Sequence, residues 1–282
     1  SMTISSIKTM VLMTYRKVKN YIRKKYIFLI DYICLLVIKS NSSSDIIILR
    51  LDAIGDFILF CDSAKEYKNL FPGQKIILLA NHTWADLAIQ LPYWDHVISI
   101  NIYKFETNIF YRCKTIVNLR KNIYKKLIHP TFSRDYLVSD SIVQMINAEL
   151  KIGFDGDYSN ISKDEKRVSD NWYDDLIMSN DGLMMELNRN AAFLRSLGHE
   201  NFKSSIPDIS HILHEVNNPL EQAEDYFVIF PFASWYGKEW PIDKFVSLIA
   251  KLSERYAMAC VLCGGPNDVG FIKFAKGLQV DG

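Results

Sequence analysis

Apolar residues in this chain follow two rhythms. Short, nearly unbroken runs at Ile46 to Arg50, Ile76 to Ala80 and Tyr226 to Pro231 have the length and β-branched content of buried strands. The first run leads through Leu51-Asp52-Ala53-Ile54-Gly55-Asp56, a predicted Gly turn, into Phe57 to Leu70, which suits a helix closed by Phe71-Pro72-Gly73-Gln74. With Ile76 to Ala80 it makes a βαβ unit whose two strands run parallel. Val97 to Ile100, Thr115 to Leu119 and Asp135 to Val138 read as further short strands, Arg120 to Lys126 as a basic segment and Gly153 to Asp157 as a loop. Leu187 to Leu197 reads as a helix capped by Gly198. In the second run of elements, Tyr226 to Pro231 is a strand and Phe232 to Trp240 a loop. Pro241 fits a first helical position. Phe245, Leu248, Ile249 and Leu252 fall at the i, i+3, i+4, i+7 spacing of an amphipathic helix, and Ala257 to Cys263 is the next strand. The pattern divides the chain into a helical segment 1–40, an α/β domain 41–205, a polar linker 206–222 containing Pro207 and Pro219, and a second α/β domain 223–282.

Residues 3–39 have a different character. Ile7, Met10, Val11, Tyr15, Val18 and Ile22 lie near helical spacing, and residues 1–30 carry Lys8, Arg16, Lys17, Lys19, Arg23, Lys24 and Lys25 with no acid. One or two basic helices are expected, lying on an anionic membrane face or packed on the first domain with a solvated basic side. The segment Tyr26 to Ile38 is too short and too polar, with Asp31, for a membrane span.

Over the whole chain, 33 basic and 32 acidic residues leave a net charge of +1, which excludes a general polyanion binder. The aromatic residues follow no nucleic-acid recognition motif. The five cysteines are scattered through predicted elements; Cys260 and Cys263 stand on opposite faces of one strand, so they read as small core residues and not as a redox or zinc pair. His211-x-x-His214 lacks acidic or Cys companions, and no metal site is expected.

Two turns carry the candidate chemistry. Asp56 follows the turn Gly where a helix begins. A carboxylate there is kept ionised by the helix dipole and could take the proton of an attacking hydroxyl. On the turn alone a capping Asp is the favoured reading, and Asp52 has the same ambiguity. The loop Ala233 to Pro241 carries Ser234 and Lys238 just before a helix N-terminus, where backbone amides, a hydroxyl and a point charge suit a diphosphate. On loop position alone an exposed lysine is the commoner case, and the glycine spacing is not that of a Walker loop. An acidic turn and a basic turn on two α/β units suggest a cleft between two domains in which the acid acts on one substrate and the cation holds the phosphates of another.

The ordered set Arg50-Leu51-Asp52-Ala53-Ile54-Gly55-Asp56, Ile152-Gly153-Phe154, Arg189 to Gly198, Lys238-Glu239-Trp240-Pro241-Ile242-Asp243-Lys244-Phe245 and Cys263-Gly264-Gly265-Pro266-Asn267-Asp268 resembles glycosyltransferase family 9, the lipopolysaccharide heptosyltransferases. The resemblance implies an α/β fold of GT-B type, two Rossmann-like domains facing a cleft. It implies inverting, metal-independent transfer from a nucleotide sugar, ADP-heptose by default, with no cofactor. Asp56 is then the base, Lys238 and Ser234 hold the donor diphosphate, and Asn267 or Asp268 meets the donor ribose. Asp52 and Arg120 fall where acceptor-facing polar residues are expected. The acceptor is a lipid-linked glycan, and the location is the inner face of the bacterial cytoplasmic membrane, reached through the basic N-terminus.

The family continues with further strands and an Asp-Thr-Gly-x-x-His loop that closes on the diphosphate; no such loop occurs before Gly282. An incomplete second domain, weak donor binding and little turnover are therefore expected, with self-association as one way to cover the open sheet. The alternative is a non-catalytic transferase homologue acting as a membrane-associated or partner-binding scaffold. A Rossmann oxidoreductase is disfavoured, because no Gly-x-Gly-x-x-Gly follows the first strand.

Overall fold

The computed structural model describes residues 4–35, 40–179, 184–210, 212, 225–233 and 236–265. The chain divides into two compact units, Ser1–His214 and Glu215–Gly282. In the first, the elements run α1 (Ile4–Leu35), β1 (Asn41–Ser42), β2 (Ile46–Arg50), α2 (Ile54–Ala64), α3 (Tyr67–Leu70), β3 (Ile76–Asn81), α4 (Ala85–Ile89), β4 (His96–Ile100), α5 (Ile102–Thr107) and α6 (Ile109–Leu119). They continue with β5 (Asn122–Tyr124), β6 (Lys126–His129), α7 (Ser141–Met145), β7 (Asn147–Ala148), β8 (Lys151–Phe154), α8 (Lys163–Ser169), β9 (Asp175–Ile177) and α9 (Glu186–Ser196). A six-stranded, wholly parallel sheet has the order β4-β3-β2-β6-β8-β9, and a small parallel sheet has the order β1-β5-β7.

Every residue of β2 is buried, as a central parallel strand covered on both faces requires. Its side chains alternate between two cores. Ile46 and Ile48 join Phe57 and Phe60 of α2 and Ala191, Phe193 and Leu194 of α9. Ile47 and Leu49 join Phe105 of α5, Ile116 of α6 and Ile142 of α7 on the other face.

Several predicted elements differ. Thr115 to Leu119 is not a strand but the end of α6; its apolar residues Ile116 and Leu119 are three apart and both buried, a helical spacing that a five-residue window hides. Asp135 to Val138 is not a strand either. Asp135 accepts a bond from the Val138 amide at 2.7 Å and caps a π-turn, Tyr136–Asp140, that runs into α7. The basic segment hides β6, whose lysine precedes the buried Leu127-Ile128-His129. Gly153 lies in β8 rather than a loop, and the turn glycine is Gly156, at φ +81°. Helix α2 starts at Ile54, so Gly55 and Asp56 are in its first turn, and the predicted helix to Leu70 breaks between Ala64 and Tyr67.

Helix α1 is one element. Its second half is docked on the first unit by an ion pair the sequence gives no hint of: Arg112 of α6 reaches both oxygens of Asp31, at 2.7 and 2.6 Å, fully buried. Ile27 is buried beside it, Phe28 meets Tyr136 and Trp172, and Lys24 pairs with Glu165. Leu12, Met13, Tyr15, Val18, Tyr21 and Ile22, further toward the N-terminus, are exposed. No helix among the described residues is long and apolar enough to cross a membrane.

The second unit is described as β10 (Tyr226–Ile229), α10 (Ile242–Tyr256) and β11 (Ala259–Leu262), with β10 and β11 parallel. Pro241 occupies the cap of α10 with extended ψ of 136°, one position earlier than predicted. Ala257 ends that helix in the left-handed region, at φ 52°, so β11 starts two residues later than the sequence pattern indicates. Most of the predicted linker, with His211 and His214, lies outside the described residues.

Candidate active site

Strand order places the site. β2 has β3 on one side and β6 on the other, so the connections diverge there, and parallel sheets open a crevice at the carboxyl ends of such neighbouring strands. Arg50 is the last residue of β2 and is wholly buried. Its Nε donates to Asp52 at 3.0 Å, Nη1 to Asn190 Oδ1 at 2.9 Å and the Pro130 carbonyl at 3.1 Å, and Nη2 to Glu186 Oε1 at 3.0 Å and the Asp56 carbonyl at 3.4 Å. Its guanidinium carbon also lies 4.8 Å from the Phe60 ring centre. One cation thereby ties β2, the chain after β6, the first turn of α2 and helix α9 together. A buried charge requires such a full set of partners.

The turn itself is pinned from the other side. The Trp84 indole donates to the Asp52 carbonyl at 2.9 Å, and Asn81 donates to the Leu51 carbonyl at 3.0 Å. Phe57 stacks on Trp84 with ring centres 4.0 Å apart. Burial pushes the Asp52 carboxyl up to about 6, against the opposing pull of Arg50; the Asp56 and Glu186 charges push it the same way as burial. Asp56 is half-buried in the first turn of α2. The cap position belongs to Ala53, which makes no side-chain cap bond, so Asp56 is not the cap. No hydrogen bond or ion pair among the described residues engages its carboxylate. A Cβ placed on Gly55 would meet nothing within 4 Å, so the backbone beside Asp56 is open.

Next to this turn is a cavity of about 190 Å³ with Leu51, Asp52, His129, Thr131, Asp135 and Val138 in its wall. Asp56 does not line it. His129 ends β6 and is completely buried. Tyr173 donates to Asp140 Oδ1 at 2.6 Å, and the same hydroxyl lies 2.7 Å from His129 Nδ1. Burial, with the Arg134 and Arg50 charges, holds the His129 pKa well below the usual value, so the ring is neutral. Asp140 is also faced by Arg134 at 3.8 Å; Arg134 pairs in turn with Asp170, which Lys166 reaches at 3.0 Å. Gly153 makes room for this arrangement: a Cβ there would sit 2.8 Å from Cδ1 of Tyr173.

The remaining predicted residues are placed as follows. Arg120 is the buried cap of α6; its guanidinium donates to the Met145 carbonyl and its own carbonyl accepts from Ser40 at 2.7 Å. It braces the small sheet and is not brought to the Asp52–His129 cavity. Lys238 ends a single 3₁₀ turn, Tyr236–Lys238, and is exposed four residues before α10. Nearby, Glu239 accepts from the Ala233 amide at 3.3 Å and Trp240 meets Phe245 edge-on at 5.1 Å. Ser234, Asn267 and Asp268 lie outside the described residues. No group of acidic, His or Cys side chains with metal-holding geometry occurs among the described residues. Sequence reasoning quoted Arg50 within a motif but missed its role, along with Glu186, Asn190 and His129. The available signal was a charged residue closing an otherwise apolar strand.

Comparison with known proteins identifies the fold and the family. The profile of glycosyltransferase family 9 (heptosyltransferase) matches residues 112–278. No curated protein sequence matches the chain significantly. Among solved structures, the Escherichia coli heptosyltransferase WaaC with ADP is similar at a TM-score of 0.64 and 14% identity, covering 83% of this chain and 73% of that one. A glycosyl transferase family 9 protein from Veillonella parvula gives 0.62 and 14%, covering 84% and 67%. The E. coli ADP-heptose LPS heptosyltransferase II gives 0.56 and 15%, covering 84% and 69%. The fold class is α/β of GT-B type, as the motif order leads one to expect.

Proposed function

This chain belongs to glycosyltransferase family 9 (heptosyltransferase), and from that premise we propose an inverting, metal-independent and cofactor-free sugar transfer, with heptose moved from an ADP-linked donor to a hydroxyl of a lipid-linked lipopolysaccharide core or related surface glycan. Asp56 takes the acceptor hydroxyl proton as that oxygen attacks the anomeric carbon; the bond from that carbon to the diphosphate oxygen breaks, and the configuration inverts. Lys238, with Ser234, stabilises the departing diphosphate, and Asn267 or Asp268 meets the donor ribose. Asp52 faces the acceptor. Arg120 is left out of this reading because it is buried at the end of α6, where Nη1 donates to the Met145 carbonyl, and it does not line the cavity beside Asp52.

The observation that carries the reading is the acid-bearing turn at the divergence point of the sheet, fixed by the buried Arg50, with the Asp56 carboxylate engaged by no hydrogen bond or ion pair among the described residues. A base held by its surroundings but not consumed by them suits general-base catalysis. The ADP donor is supported by the solved relatives that hold ADP and ADP-2-deoxy-2-fluoro heptose. The exposed apolar residues and cations of α1 support docking on the anionic inner face of the cytoplasmic membrane, where a lipid-linked acceptor resides.

Calorimetry with ADP, UDP, GDP and ADP-heptose at one salt concentration tests the donor. Selective ADP binding that is lost in Lys238→Ala supports the reading, and no nucleotide binding refutes it. A transfer assay on purified bacterial glycolipid then tests Asp56→Asn; unchanged turnover there removes Asp56 as the base.

A further inference from the structure

Helix α1 has an apolar face besides the one that docks it. Tyr15, Val18, Ile22, Tyr26, Leu29 and Ile33 follow one another at intervals of three, four, four, three and four residues, and each is more than half exposed. At 3.6 residues per turn these six positions fall within an arc of about 80°, and at 1.5 Å per residue they run about 27 Å along the helix. Ile27 and Asp31, which face the domain, lie roughly 140–180° from the middle of that arc. The stripe therefore continues along the half of α1 that Arg112 clamps, on its outer side.

The cations are arranged around this stripe. Lys19 and Lys25, both exposed, stand about 60° to either side of its middle, where a long aliphatic stem covers apolar surface while the ammonium reaches past it. Arg23 and Lys24 are tied to the domain, on the Glu106 carbonyl and the Glu165 carboxylate. The single acid of α1, Asp31, is buried, so the outward side offers no acid. A second copy is a poor occupant of such a face. It would set Lys19 and Lys25 against like charges, and a heptad register through Tyr15, Ile22 and Leu29 would place Lys25 in the seam. Lipid suits it better. Two of the six stripe residues are tyrosines, and the exposed Tyr21 and Tyr32 border them; a ring with a polar tip is favoured where hydrocarbon meets headgroups.

We infer that α1 binds an anionic lipid bilayer side-on, through the stripe from Tyr15 to Ile33, with the Asp31–Arg112 pair still closed, so that the helix lies between the first unit and the lipid. The inference rests on the membrane docking in the reading above and fixes which face makes it; the sugar chemistry plays no part. An interfacial helix needs an apolar side for the acyl boundary and cations for the headgroup phosphates, and α1 presents both on the side away from the protein.

Flotation of the full chain with vesicles of phosphatidylglycerol and phosphatidylethanolamine, against vesicles of phosphatidylcholine alone, tests this. Binding to the anionic vesicles is expected, falling as salt is added, with binding to phosphatidylcholine about tenfold or more weaker. Ile22→Glu with Leu29→Glu lowers anionic-vesicle binding about tenfold or more at an unchanged melting temperature, since both side chains are exposed. Lys19→Gln alone lowers it about fivefold, the worth of one cation near an anionic leaflet. Amide hydrogen exchange around Asp31 and Arg112 stays as slow on the vesicles as in solution. No vesicle binding, equal binding to both vesicle types, binding indifferent to the stripe substitutions, or faster exchange on vesicles would each overturn the inference. A dimer in sedimentation velocity that the double substitution dissolves would give the stripe to a second copy and overturn it too. Failure of the reading above shows separately: stripe-dependent vesicle binding without any nucleotide binding leaves this surface standing and removes the transferase, whereas ADP binding without vesicle binding removes the surface and leaves the transferase.

Discussion

The turn after β2 and the turn after β10 occupy equivalent places in their units, each leading from a parallel strand into a helix, yet they are built in opposite ways. The first is over-determined. Arg50 spends its donors on five oxygens, and Trp84 and Asn81 fix the backbone from the far side. The second carries its cation on an exposed 3₁₀ turn, and no hydrogen bond or ion pair among the described residues engages Lys238. A group that must meet a reacting atom is held at a fixed place, because small displacements are costly in rate. A group that meets a diphosphate by charge tolerates freedom, because a Lys acts as a point charge on a flexible stem.

The contrast can be broken most severely at Arg50. Replacing it by Met removes the cation that the part-buried Asp52 and Glu186 and the buried Asn190 share, and a loss of about 3–5 kcal/mol is expected in urea unfolding. Asp56→Asn should lower turnover roughly 10²- to 10⁴-fold with an unchanged melting temperature; a fall in both would assign Asp56 to the scaffold. Lys238→Ala should weaken ADP binding by about ten- to a hundredfold, the worth of a charge-assisted bond, with unfolding shifted by less than about 0.5 kcal/mol. Gly153→Ala drives a methyl group into Tyr173, with an expected cost of about 1–3 kcal/mol and a change in the His129 resonances.

The smallest effect sharpens the picture through pH. The Asp52 carboxyl stands at about 6 in the folded chain against an ordinary 3.8. A folded value above the unfolded one means that Asp52 favours folding at low pH, and that this contribution is lost as pH rises from 3.8 through about 6. Asp52→Asn should flatten the stability profile across that window. Because the Glu186 charge helps to raise Asp52, Glu186→Gln should move the carboxyl titration, followed by ¹³C NMR, to lower pH. A rise would show that the hydrogen bond from Arg50 to Glu186 matters more than the Glu186 charge.

Much of the frame was legible from runs of β-branched residues. Ile46 to Arg50 and Ile76 to Ala80 pair as read, in register from Ile46 with Ile76 to Arg50 with Ala80. Reading failed where a short window could not separate two periods, as at Thr115 to Leu119. It failed too where a lysine masked a buried strand, as at β6. Asp52 and Asp56 could be nominated because they are close in sequence to a recognisable turn. His129, Tyr173 and Asp140 could not, since their association depends on three separate elements and on the space left by Gly153. The Asp31–Arg112 pair that docks α1 spans 81 positions and has no local signature, so the open question of whether that helix lies on the domain was one the sequence could not decide. For its second half the buried pair answers it.

The reach of Arg50 also sets a timetable for synthesis. Its partner Asn190 lies 140 residues further along the chain. At about 5–20 residues per second that interval lasts roughly 7–28 seconds on the ribosome. Through it the emerging sheet carries a guanidinium that has Asp52 beside it but lacks Glu186 and Asn190 of α9, so the set of contacts around the acidic turn stays incomplete during early translation. Completion of the Arg50 network is therefore a late, high-contact-order event, and the nascent chain spends that interval with an apolar sheet face awaiting α9 and open to chaperones.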